Sequence, residues 1–238
     1  MRRKTMRFLI SMYGVFACTL VLVAVAGSRA ITVFTEGAPI LQRNTVIIDA
    51  GHGGVDGGAT SCSGMLESYL NLEIALRLDD LMHLLGIKTK MIRYTDISIH
   101  TTGESIAAKK VSDLKERVRL VNQEDNAVLI SIHQNYFSDS RYSGAQVFYA
   151  PTSGSEVYAK TLQNAFIQSL NPGSHRQSKK ADGIYLMQHI TAPGALVECG
   201  FISNQAEEAL LKNSDYQKKI CCVIAAVTSM YLTQQGSA

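Results

Sequence analysis

Two histidines and two glutamates stand where elements of secondary structure begin or end. His52 and His133 each close an apolar run rich in Val and Ile, which predicts strands over Thr45 to Ala50 and Ala127 to His133. The carboxyl ends of parallel strands meet at one edge of a sheet, so we expect both imidazoles there. Glu67 opens a long amphipathic segment, which places its carboxylate in the first turn of a helix close to the loop after the first strand.

Two imidazoles and one carboxylate form a three-ligand zinc set. Catalytic zinc commonly keeps three protein ligands and leaves a fourth position for water, whereas structural zinc usually takes four ligands, often cysteines. Glu198 ends a further apolar strand, Ala195 to Cys199. A carboxylate beside a metal-activated water can take its proton and pass it to a leaving amine, so we assign Glu198 that role.

Each of these features also has a simpler interpretation. The glycines around His52 are typical of an ordinary turn, and a histidine at the end of a strand is more often a surface or core residue than a ligand. Glu67 alone fits a helix start favoured by the helix dipole, and Glu198 alone fits a common paired charge. With all four in place, the number and type of the ligands favour a zinc hydrolase.

These segments carry a resemblance to a known family. Residues 49–59 read DAGHGGVDGGA, residues 67–72 read ESYLNL, residues 131–135 read SIHQN and residues 197–204 read VECGFISN. In this respect the chain resembles the zinc-dependent N-acetylmuramoyl-L-alanine amidases of bacterial cell walls, from about Val46 to about Leu232. The resemblance implies that His52, Glu67 and His133 bind Zn2+ and that Glu198 is the general base and acid.

Four further polar residues in these segments could support the ligands or contact the substrate. Asp49 and Asn135 lie at strand ends beside a ligand, and whether they bond a ligand or the substrate stays open. Asn71 and Ser131 are weaker candidates for the same role. The expected reaction is hydrolysis of the amide between N-acetylmuramic acid and L-alanine in peptidoglycan.

Size and architecture make the chain most similar to the germination amidases of spore formers, which act on cortex peptidoglycan. In those enzymes, removal of the peptide is the first step towards muramic-δ-lactam. Two alternatives remain open: a membrane-tethered peptidoglycan-binding protein with little turnover, and a different zinc peptidoglycan hydrolase such as a carboxypeptidase.

Alternating strand-like and helix-like segments predict an α/β fold, a three-layer αβα sandwich around a mostly parallel sheet. Helices are predicted over residues 67–85, 113–123, 155–170, 204–212 and 216–232, and further strands over residues 87–94 and 145–150. We assign residues 45–234 to one catalytic domain. Lys179, Lys180 and Arg176 are predicted to lie in a loop, where they could steer an acidic glycan peptide.

The N-terminus is expected to direct the chain to a membrane. Basic residues are followed by twenty residues without a charge, Phe8 to Gly27, long enough for a transmembrane helix, although Ala24 to Ala26 also offers a signal-peptidase site. A retained anchor and a cleaved signal therefore both fit residues 1–28, with residues 29–44 as a tether. Either one predicts an exported enzyme at the outer face of the membrane or in the cell envelope.

Charge and cysteine content restrict the remaining partners. The formal net charge is +3, but five basic residues lie before residue 30, and without them 18 basic residues face 20 acidic ones. A nucleic-acid partner is therefore not expected.

The cysteines outside the N-terminal segment can remain free thiols in a domain of this size, and Cys199 is expected to face away from Glu198. They are Cys62, Cys199, Cys221 and Cys222. His189 could line the substrate cleft, and an accessory envelope protein could be needed.

Overall fold

Six strands form one sheet in the computed structural model, which describes residues 44–235 of the chain. The spatial order is β2-β1-β3-β6-β4-β5, and every neighbouring pair is parallel except β4 and β6. The strands are β1 (Thr45–Ala50), β2 (Thr89–Met91), β3 (Ala127–Asn135), β4 (Gln146–Tyr149), β5 (Lys179–Lys180) and β6 (Gly194–Phe201). The predicted mostly parallel sheet is confirmed.

Helices cover both faces of this sheet and bury the central strands. All six residues of β1 are buried, which explains its nearly continuous apolar sequence. The helices are α1 (Glu67–Leu84), α2 (Ile106–Asn122), α3 (Ser155–Ser169), α4 (Tyr185–His189), α5 (Gln205–Leu211) and α6 (Ser214–Gln235). One core cluster lies between the sheet and α1, α3 and α6, and a smaller one lies on the face covered by α2 and α4. The predicted three-layer sandwich is confirmed.

Some predicted boundaries were wrong for local reasons. Helix α2 begins at Ile106 rather than at residue 113, because Ser105 caps it by accepting a hydrogen bond from the backbone N–H of Ala108. Strand β2 is only three residues long at the edge of the sheet. The pair Lys179 and Lys180 forms the short edge strand β5 beside Phe148 and Tyr149 instead of lying in a loop.

The predicted membrane segment at residues 1–28 and nearly all of the tether lie outside the described residues. Among residues 44–235, no helix combines the length and apolar character that a membrane span requires. The domain limits proposed from the sequence therefore stay predictions.

Candidate metal centre

The ends of β1 and β3 and the start of α1 bring three side chains together. His52 Nε2 lies 3.2 Å from Glu67 Oε2, and His133 Nδ1 lies 3.0 Å from Glu67 Oε1. The ring centroids of the two imidazoles are 5.0 Å apart, with an interplanar angle of 77°. One ligand atom from each of the three residues falls within 4.8 Å of the others. This set is compact enough to coordinate a single ion.

Glu67 is a buried carboxylate whose oxygens both accept hydrogen bonds. Its Oε1 accepts from the Gln134 N–H at 3.1 Å and from Asn71 Nδ2 at 3.1 Å, and its Oε2 accepts from the Ala59 N–H at 3.0 Å. Burial alone would raise the pKa of Glu67, but hydrogen bonds from His133 and His52 hold it well below its usual range. The carboxylate is thus fixed in its charged, ligating form.

His52 is held by a carboxylate that the sequence analysis did not single out. The imidazole Nδ1 lies 2.9 Å from Asp56 Oδ2, while Asp56 Oδ1 is 2.9 Å from Lys110 Nζ. Burial opposes the charge on His52, yet the hydrogen bonds to Asp56 and Glu67 outweigh it and raise its pKa to about 9. Because Nδ1 is bonded to Asp56, the other ring nitrogen of His52, Nε2, faces Glu67. Partners of this kind orient metal-binding imidazoles.

Two glycines leave room for this cluster. A Cβ on Gly51 would stand 2.2 Å from the His133 ring, and a Cβ on Gly58 would stand 2.5 Å from Glu67 Oε2. His52 itself has a φ of 62°, in the left-handed region that costs energy for a residue with a side chain. The packing of these three side chains therefore requires glycine at positions 51 and 58.

Two buried arginines hold the backbone under His52. Arg117 donates to the carbonyl oxygens of His52 at 2.6 Å and Ala50 at 3.0 Å, and it pairs with Asp49 and Asp113. Arg93 donates to four carbonyl oxygens, those of Ala50 at 2.8 Å, Gly51 at 3.0 Å, Ser68 at 2.9 Å and Thr95 at 3.1 Å. These bonds stabilise the loop that would otherwise relax from its left-handed conformation.

Asp49 does not contact either histidine. It accepts a hydrogen bond from Ser131 Oγ at 2.6 Å and pairs with Arg117. Burial opposes its charge, but Arg117 and His133 lower its pKa below the usual value. Asp49 and Ser131 thus support the site through β1, β3 and Arg117.

Asn71 and Asn135 differ in their contacts. Asn71 Nδ2 donates to Glu67 Oε1 and, at 3.1 Å, to the carbonyl oxygen of Gly51, and its Oδ1 accepts from Gln134 Nε2. The Asn135 side chain makes no hydrogen bond with any residue in the range 44–235. Asn71 supports the cluster directly, whereas contact of Asn135 with substrate stays a prediction.

Glu198 lies beside His133 on the neighbouring strand, since the two residues are register partners of β6 and β3. Its Oε2 is buried and has no hydrogen-bond partner within the part of the chain that the structure describes. Burial raises the pKa of Glu198 to about 7; His133 opposes this shift and the charge of Glu67 adds to it. An unpaired buried carboxylate oxygen costs stability, which is typical of a functional group.

The remaining predicted residues fall outside the cluster. An open cleft of about 180 Å³ borders His52 and His133 and includes Lys110, Ile184 and Leu186 in its walls. His189 is exposed, stacks on Tyr185 and does not line this cleft. Lys179 and Lys180 are exposed on the edge strand β5.

The prediction for Cys199 is confirmed, because it lies in the core cluster on the face opposite Glu198. The four described cysteines are free.

The residues present fit a zinc ion. Their donor atoms are two imidazole nitrogens and one carboxylate, the set expected for a catalytic zinc that keeps an open position. The buried, unpaired oxygen of Glu198 lies outside the set of three, on the residue that is the register partner of His133.

Comparisons with known proteins find relatives of one enzyme family. Residues 46–228 match a family model described as N-acetylmuramoyl-L-alanine amidase. The chain is 37% identical over 198 residues to the germination-specific N-acetylmuramoyl-L-alanine amidase of Bacillus subtilis, covering 82% of this chain and 83% of that protein. It is also similar to the CwlD amidase of Clostridioides difficile, solved in complex with the GerS lipoprotein, with 33% identity and a TM-score of 0.76 over 80% of this chain and 99% of that one. A Nostoc punctiforme amidase, AmiC2, gives 25% identity and a TM-score of 0.68, covering 80% and 97% of the two chains.

Proposed function

Because the chain belongs to the N-acetylmuramoyl-L-alanine amidase family, we propose that it hydrolyses the bond between N-acetylmuramic acid and L-alanine with zinc held by His52, Glu67 and His133. The observation that carries this proposal is the convergence of those three donor groups beside the buried, unpaired oxygen of Glu198. Zinc bound there would supply Lewis acidity, which activates water and polarises a carbonyl at neutral pH.

Glu198 performs the proton transfers in this proposal. Its Oε2 takes a proton from the attacking water as the oxygen of that water bonds to the lactyl carbonyl carbon. The carbon–nitrogen bond then breaks while the same proton passes to the departing nitrogen of L-alanine, and the other proton of the water ionises from the new carboxyl group. The products are a peptide-free muramic acid carboxylate and a stem peptide with a free amino terminus. Asp56, Asn71 and Arg117 orient the ligands and take no part in the transfer.

We further propose that the substrate is spore cortex peptidoglycan and that the reaction is the first step towards muramic-δ-lactam. Similarity to the germination-specific amidase of Bacillus subtilis supports this assignment. The similar CwlD amidase was solved with a lipoprotein, which supports an accessory envelope protein as a partner of this chain. Export and attachment to a membrane through residues 1–28 belong to the same proposal.

The test is mass spectrometry of peptidoglycan fragments after digestion by the purified full chain. Parallel samples contain added zinc, a chelator, or the Glu198→Gln variant with its zinc content measured. We expect peptide-free muramic acid and free L-alanine termini only with zinc and wild-type chain, and an activity loss of at least ~10²-fold in the variant. The variant should retain stoichiometric zinc.

Other results would identify other functions. Release of free D-alanine would indicate a carboxypeptidase, and binding of zinc and peptidoglycan without any product would indicate a binding protein. Loss of zinc in Glu198→Gln would make Glu198 a ligand and contradict its assigned role.

A further inference from the structure

An exposed aromatic cluster adjoins the reaction site at the ends of β3 and β6. Phe137 follows His133 by four residues. Phe201 follows Glu198 by three residues, and three residues span about 10 Å along a strand. The rings of Phe137 and Tyr142 are 4.8 Å apart and nearly perpendicular, and Tyr142 lies 6.1 Å from Phe201. We call Phe137, Tyr142 and Phe201 the aromatic platform.

Two of the three rings of the platform are about half exposed. Phe137 and Tyr142 expose 48% and 47% of their surfaces, and the neighbouring Tyr136 exposes 55%. Phe201 is buried beneath them but belongs to neither core cluster. Large apolar groups exposed together at one place are typical of a binding surface.

Hydrogen bonds fix the backbone that carries these rings. The N–H of Phe137 donates to Ser203 Oγ at 3.1 Å, and Asn204 Nδ2 donates to the carbonyl oxygens of Ser140 at 2.8 Å and Tyr142 at 3.3 Å. Buried Glu207 accepts from the N–H of Phe201 at 2.7 Å and of Gly144 at 2.8 Å. The platform is therefore organised before a ligand binds, which lowers the entropy cost of binding.

Two arginines lie close to the platform. Arg176 lies over the Phe201 ring with its guanidinium 4.8 Å from the centroid, and Arg141 pairs with Asp139 at 2.7 Å. The faces of aromatic rings are electron-rich. A pyranose ring offers an apolar C–H face that packs on such a surface, while its rim hydroxyls can bond to the nearby amide and guanidinium groups.

The other border of the reaction site has a different character. The cleft on the His52 side is walled by aliphatic side chains such as Leu114 and Ile184, with Lys110 at its margin, and its described lining has no aromatic ring besides the two imidazoles. A glycan that carries the reacting muramic acid continues in sugars on both sides of it. Those sugars contact surfaces that adjoin the site, and the platform lies at the ends of the two strands that carry His133 and Glu198.

We propose that the aromatic platform binds a sugar of the peptidoglycan strand next to the muramic acid whose amide is cleaved. This inference deepens the proposed function, on which it rests, by making the glycan polymer the preferred substrate over an isolated muramoyl peptide. The platform acts in binding and does not contact the reacting atoms.

The first test uses the Glu198→Gln chain and peptide-free glycan strands in calorimetry, so that it does not depend on turnover. Tyr142→Ala in this background should weaken binding about tenfold, the loss expected for one aromatic stacking contact. Tyr142→Trp should restore it, because it retains a ring. The matched control is Tyr94→Ala, which removes another exposed tyrosine, 58% exposed, from a different loop.

The second test separates polymer from fragment in the active chain. Tyr142→Ala and Phe137→Ala should raise KM about tenfold for polymeric peptidoglycan and leave kcat unchanged. The same variants should leave KM unchanged for a single N-acetylmuramoyl peptide without neighbouring sugars. Equal losses on both substrates, or unchanged glycan binding in a folded variant, would overturn the proposal.

If Tyr142→Ala abolishes the binding of an accessory protein but leaves glycan binding intact, the proposal is also overturned. The platform would then belong to the interface with that partner. Failure of the amidase assay with glycan binding retained would instead contradict the proposed function alone.

Discussion

The bond between Asp56 and His52 allows a quantitative prediction about metal affinity. Asp56 Oδ2 is 2.9 Å from His52 Nδ1, and the other oxygen of Asp56 accepts from the Gly58 N–H at 3.3 Å and pairs with Lys110. Because His52 has a left-handed backbone, its ring orientation depends on such contacts. Asp56→Ala removes the contact without removing a ligand.

Loss of a partner of this kind lowers metal affinity by about 10- to 100-fold, or about 1.4–2.8 kcal/mol. We therefore expect Asp56→Ala to raise the zinc Kd by that factor, and Asp56→Asn to raise it less, because an amide oxygen still accepts from Nδ1–H. At saturating zinc, most of the activity of both variants should return.

The assay is competition with a chromophoric zinc chelator, followed by activity at increasing zinc concentrations. Asp182→Ala is the matched control, since that carboxylate is 79% exposed and pairs with Lys180 instead of with a residue of the cluster. A zinc Kd for Asp56→Ala within twofold of wild type would refute the positioning role, as would a loss of activity that excess zinc does not restore.

Three further predictions concern the glycine, the buried arginine and the ion. Gly51→Ala should abolish stoichiometric zinc binding while circular dichroism stays native, because its Cβ would overlap the His133 ring; a variant with one zinc per chain would contradict this. Arg117→Met should lower the free energy of unfolding in urea by about 3–5 kcal/mol, since Asp49 and Asp113 lose their buried partner, whereas Arg119→Met should leave the urea midpoint unchanged. Zinc at about 100 times its Kd should stabilise the chain by about 2.7 kcal/mol, so chelation should lower Tm by several degrees; His133→Ala should show no such zinc-dependent shift.

Some residues of the candidate site could be predicted from the sequence. These are residues of a metal-binding type that stand next to the end of a strand or the start of a helix. His52, Glu67 and His133 each lie at the end of a strand or at the start of a helix, and strand β1 was predicted with its observed limits. Parallel strands bring such boundaries to one edge, so the sequence order was sufficient to predict their convergence.

The supporting contacts could not be predicted because they depend on tertiary packing. Asp56 lies four residues after His52 within the glycine-rich motif, and this spacing was the available signal for their bond. Arg117 and Arg93 come from distant segments, and nothing in their local sequence indicates that they are buried under the His52 loop. The register shift between β3 and β6 beyond His133 likewise gave no periodic signal.

The most direct test of the zinc assignment is a crystal structure of the zinc-loaded chain with anomalous diffraction at the zinc absorption edge. We expect one strong peak from a zinc ion that is coordinated by His52 Nε2, the Glu67 carboxylate and His133 Nδ1 at about 2.0–2.2 Å. Glu198 should not be coordinated. A peak at another place, a sulfur ligand at about 2.3 Å, or coordination by Glu198 as a fourth protein ligand would contradict it.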